Sequence, residues 1–160
     1  MSIAVIGGAA VSMYIFSIPV IESGREFSSA VMLRQFHYLI TLGAKYLQNG
    51  SRIQGISLST LVYLLYRHPD PDMASRWKWF AAALFVGAQV AWYEVVYVFP
   101  TNDRLVEMEG ELRKTDEPDA DRKARPEVMR LLEKWRRRHI GRIIIPFAAV
   151  TLAFCGLLRS

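Results

Sequence analysis

Trp135, His139 and Arg142 lie four and then three positions apart in "KWRRRHIGR", so they form one stripe on a helix. A second group sits in "RQFHYLITLGAK": Arg34 and His37 are three apart and share a face, Gln35 lies between them, and Lys45 follows two turns later. "FPTNDRL" adds Asn102 and Asp103 just behind an apolar run. A histidine has an ordinary pKa of about 6.5, which suits proton removal near neutrality. His139 is therefore a candidate general base. His37 and His139 also make a minimal metal pair, but two scattered histidines fall short of a ligand-spacing motif. Asn102 and Asp103 read equally well as a helix cap, and Trp135 as an interfacial anchor. Glu94, inside an apolar block, reads as the partner of a buried arginine or as a proton carrier. The chain has no P-loop, dinucleotide glycine fingerprint, nucleophile elbow or HExxH, which argues against flavin and nicotinamide chemistry.

These residues need helices to hold them. Four apolar blocks alternate with charged stretches along the 160 residues. The first, 3–21, is uncharged and matches a bilayer span at about 1.5 Å per residue. It lacks a basic leader and a small-x-small cleavage pattern, so it reads as a retained span rather than a signal peptide. The second, 53–66, is short, and the flanking Arg52 and Arg67 complete it by snorkelling. The third, 77–99, carries aromatic residues at both ends. The fourth, 143–158, has Pro146 in its first turn. Small residues such as Gly7, Gly8, Gly87 and Ala148 recur within the blocks and allow close helix approach. The predicted fold is all-α: one domain over 1–160, an integral membrane four-helix bundle. Additional interfacial or cytosolic helices are expected at 28–48, 102–114 and 127–142. The first of these should end at Asn49-Gly50 and the second should begin at Thr101 or Asn102. A polar tip at 115–126 should separate the last two.

Charge placement orients this bundle. Segments 22–52 and 100–142 hold four and twelve basic residues, sixteen of the 20 Lys and Arg. The positive-inside rule then places both long loops in the cytosol and both termini on the other side. The net charge of +5 is thus membrane-proximal charge, and no nucleic-acid reading motif accompanies it. Membrane lipid is an expected partner and nucleic acid is not. Cys155 is the only cysteine, so no internal disulfide and no Cys/His zinc spacing exist. Homo-oligomerisation is left open.

Four segments together resemble the fungal anthrone oxygenase family, small membrane proteins of polyketide pathways. They are Ser17-Ile18-Pro19, "RQFHYLITLGAK", "FPTNDRL" and "WRRRHIGR". The most specific part is Pro-Thr-Asn-Asp-Arg-Leu followed by the Trp-x-x-x-His-x-x-Arg spacing, and the resemblance covers most of the chain. It implies oxidation of an anthrone, an aromatic polyketide, to the anthraquinone. Dioxygen is the co-substrate, and no organic cofactor or metal is implied. The anthrone methylene is doubly benzylic and conjugated to the ketone, so a base removes its proton. The resulting anion passes an electron to dioxygen; recombination gives a peroxide, and loss of water gives the quinone. On this resemblance His139 is the base, with Asp103 or His37 as alternatives. Arg142 and Asn102 hold the developing enolate oxygen. Trp135 stacks on the substrate, with Gln35, Arg34 and Lys45 as further substrate contacts. Two rival readings stand beside it: a metal-dependent membrane oxygenase using His37 and His139, and a non-enzymatic membrane scaffold or small transporter.

Overall fold

The computed structural model describes residues 2–24, 27–115 and 119–158, all of it helix and short connections without strands. Arg25 of the basic count and residues 116–118 of the predicted polar tip lie outside the described residues. Four long helices result: α1 over 2–23, α2 over 29–66, α3 over Pro71–Lys114 and α4 over Ala120–Leu158. The separate interfacial helices expected from the sequence are therefore continuous with the apolar blocks. Segment 28–48 runs on into 53–66, 77–99 into 102–114, and 120–139 into the last block with a break only at Ile140.

The predicted end at Lys114 is where α3 stops, whereas the breaks predicted at Asn49-Gly50 and at Pro100-Thr101 fail for local reasons. Asn49 does not cap a helix end, because its side-chain amide donates back to the Lys45 carbonyl within the same helix. Pro100 is absorbed by a widened turn over Glu94–Val98, closed by a Phe99 N–H bond to the Glu94 carbonyl. Proline has no N–H and its ring collides with the carbonyl four residues back, so a wider turn relieves both problems. Pro19 repeats the device, following a widened turn over Met13–Ser17. Thr101 is not a cap either: it is buried, and its hydroxyl accepts from Arg138, which also donates to the Tyr97 carbonyl in the widened turn. Pro126 lies inside α4 rather than near its start.

The long helices build two kinds of packing. At one end, Ile18, Phe36, Leu105, Val128, Leu132 and Trp135 belong to one buried apolar cluster drawn from all four helices. Polar ties close this end. Asp121 accepts from the Ser29 and Ala30 amides at 3.0 Å each, satisfying the orphan donors of α2's first turn. Arg136 pairs with Glu22 at 2.6 Å and fastens α4 to α1. At the other end contacts run through small residues, and the surface turns apolar outward. A Cβ on Gly156 would lie 2.8 Å from the Trp79 Cβ, and one on Gly87 would lie 3.7 Å from that of Ala149. Ile56, Phe85, Ile144 and Phe154 stand exposed around this end. Helices α3 and α4 are long and apolar enough to cross a membrane, and most of their apolar surface faces outward rather than into a core.

Candidate functional site

A cavity of about 470 Å³ opens among α1, α2, α3 and α4 at the junction of these two ends. Its walls are mainly apolar: Leu58, Leu84, Gly87, Pro146 and Ala149 contribute. Polar groups gather on two sides. On α2, Gln48, Ser51, Arg52 and Gln54 line it; from α3 and α4 come Glu94 and Arg142. Glu94 and Arg142 form an ion pair, Nε to Oε1 at 2.6 Å, with side chains 13% and 16% exposed. Glu94 opens the widened turn of α3, and Arg142 lies just beyond the α4 break, so irregular backbone presents both groups. Such a cavity, apolar with a few convergent polar groups, has the size and character of a small-molecule site.

The residues singled out from sequence separate into several places. Arg142 lines the cavity. His139 does not: it is fully buried, its Nε2–H donates to the Ala10 carbonyl at 3.1 Å, and its ring stacks on Trp135 at 4.5 Å. Its Nδ1 is buried with no hydrogen-bond partner among the described residues. Trp135 is 1% exposed, with Phe36 edge-on at 5.4 Å and His139 stacked on it. The indole N–H of Trp135 donates to Asn102 Oδ1. The expected stripe is thus a relay of contacts, Asn102 to Trp135 to His139 to Ala10, which ties α3, α4 and α1 together behind the cavity wall. Trp135 has no free face on which a flat ligand stacks, and Asn102 does not face Arg142 across the cavity.

The remaining candidates lie elsewhere. His37 is hydrogen-bonded through Nδ1 to Glu109, away from His139. Asp103, Arg34 and Lys45 are exposed, and Gln35 lines an open apolar groove with Phe16, Tyr38 and Leu42. Among the described residues no three His, Cys, Asp or Glu side chains converge as a metal-ligand group. Sequence reasoning did not select Gln48, Ser51, Arg52 or Gln54. Gln48 meets Ser51 and Arg52 at i, i+3 and i, i+4, but only if the helix continues through Asn49-Gly50.

The fold and site define a class: an all-helical protein with an outward-facing apolar end and an apolar cavity holding one acid–cation pair. The profile of the anthrone oxygenase family matches residues 37–152. The chain belongs to that family. No curated protein and no solved structure matches the chain. The matched segment contains Glu94, Arg142 and the α2 wall of the cavity, and leaves out the whole of α1.

Proposed function

We propose that this protein oxidises an anthrone to its anthraquinone with dioxygen, and that the Glu94–Arg142 cavity is where it does so. The observation that carries the reading is the cavity itself: apolar walls for a polycyclic ring, and one ionic pair at a widened helical turn. Glu94 is the only carboxylate among the lining residues, so it takes the methylene proton. Arg142 orients that carboxylate through the 2.6 Å contact. The remaining guanidinium N–H groups of Arg142 and the Gln54 amide, which also lines the cavity, stabilise the oxygen on which charge develops. The electron-rich anion then reduces dioxygen by one electron, recombination at the former methylene carbon forms a peroxide, and loss of water leaves the quinone. Anthrone plus O₂ gives anthraquinone plus H₂O, and the apolar walls limit side reactions with water.

This assignment moves the base from His139 to Glu94. The reason is access: the imidazole is fully buried and does not line the cavity. Oxygen uptake by purified protein given an anthrone should match substrate consumption one for one and persist after chelator treatment. Activity that vanishes with a stoichiometric metal and returns on its addition would replace this mechanism with a metal-dependent one.

We further infer that four helices cross a bilayer, with the charged ends of the long helices on the cytosolic side. The exposed aromatic and aliphatic surface and the interfacial residues Trp77 and Trp92 support this. An apolar substrate then enters the cavity laterally from lipid. In sealed vesicles carrying Cys155→Ser, cysteines introduced at His68 and at Ala120 should label from opposite sides. Labelling of both from one side would overturn the topology.

A further inference from the structure

The cavity's charges do not balance. Its lining holds two cations, Arg52 and Arg142, and one anion, Glu94. Glu94 is taken by Arg142. Arg52 is exposed, stands at the mouth of the cavity on the α2 wall, and has no ion-pair or hydrogen-bond partner among the described residues. Gln48 lies one turn before it and Ser51 beside it, so the free guanidinium is bordered by neutral hydrogen-bonding groups rather than by a second acid. An unpaired guanidinium at the mouth of an apolar cavity can meet an anionic substituent of a ligand whose rings lie inside, and the planar fork of arginine matches a carboxylate in two parallel hydrogen bonds.

We propose that Arg52 selects polycyclic substrates carrying a carboxylate, with the apolar rings against the Leu58, Leu84 and Ala149 side of the cavity. This deepens the functional reading above and rests on it for the ring system, but not for the charge. A neutral analogue fills the same apolar volume and leaves Arg52 without a partner. A charged one gains the guanidinium contact. The α2 wall thereby becomes a specificity element, distinct from the Glu94–Arg142 pair assigned to proton removal.

The test uses the purified full chain in detergent and two probes of the same shape, anthraquinone-2-carboxylate and anthraquinone-2-carboxamide. Binding is read by quenching of the protein's tryptophan fluorescence. Wild type should bind the carboxylate at least tenfold more tightly than the carboxamide. Arg52→Gln should abolish that preference while leaving carboxamide affinity within about twofold, because a single charged hydrogen-bonded contact is lost. Arg52→Lys should keep a reduced preference, since it retains the charge without the fork. Equal loss for both probes, or unchanged preference in Arg52→Gln, would overturn the proposal. So would failure of wild type to bind either probe. If the Arg52-dependent preference holds but no anthrone is consumed, the selectivity stands and the oxygenase reading falls.

Discussion

Replacing Glu94 by Gln is expected to lower turnover by about a hundredfold to ten-thousandfold, the usual contribution of a positioned general base. The side chain keeps its shape and can still accept from Arg142, so the cavity survives. The carboxylate is what disappears. A structural role for the pair predicts something different. Removing one partner of a buried ion pair costs about 3–5 kcal/mol because the other charge is stranded, whereas replacing both by apolar residues is often neutral. The double variant Glu94→Leu/Arg142→Leu separates the two roles. If the pair only holds α3 to α4, the double variant recovers stability and keeps its turnover. If Glu94 removes the proton, the double variant recovers stability and remains inactive. Turnover by oxygen uptake, set beside thermal unfolding in detergent, reads both quantities on the same samples. Wild-type turnover in a stable Glu94→Gln protein would remove Glu94 from the chemistry.

The apolar blocks announced the helices, because long uncharged runs flanked by arginines have few other uses. The joins between them were hidden. Asn49-Gly50 carries turn residues, and only the tertiary setting shows the amide of Asn49 folded back onto Lys45. Pro100 carries a stop signal that a widened turn neutralises, with Arg138 covering a carbonyl from forty-one positions away. Those misread stops also concealed the site. Once a helix is taken to end at Asn49, Gln48 and Arg52 fall on different elements and their common face is lost. Glu94 and Arg142 were each legible alone, as an acid inside an apolar block and as a basic residue leading into one. Their meeting depends on how α3 and α4 lie against each other, through contacts such as Gly87 with Ala149 and Gly141 with the Tyr93 ring. No local pattern encodes that approach. His139 and Trp135 show the converse. Their helical spacing was read correctly, but spacing gives a shared face and not what covers it.

That cover decides what Trp135 does. Trp135→Ala should cost about 3–5 kcal/mol of stability, the range for deleting a buried Trp or Phe side chain. The side chain is 1% exposed, packs edge-on with Phe36 and stacks on His139. Its removal also leaves Asn102 Oδ1 without its indole donor, a further penalty of about 1–3 kcal/mol if that oxygen stays dry. A stacking platform for substrate would behave otherwise: ligand affinity would fall while folding held. The two outcomes separate in Trp135→Phe, which keeps much of the ring volume and lacks the N–H. Trp135→Phe should unfold at a lower temperature than wild type, yet its folded fraction should bind a planar anthraquinone probe with unchanged affinity. Asn102→Ala should show the same signature at smaller size, because it breaks the same hydrogen bond from the other side. The reason lies in the order of contacts: Trp135 reaches the cavity only through His139 and the Ala10 carbonyl, so losing it loosens α1 before it touches the ligand. A Trp135→Phe protein of normal stability with binding weakened tenfold or more would place the indole at the substrate after all.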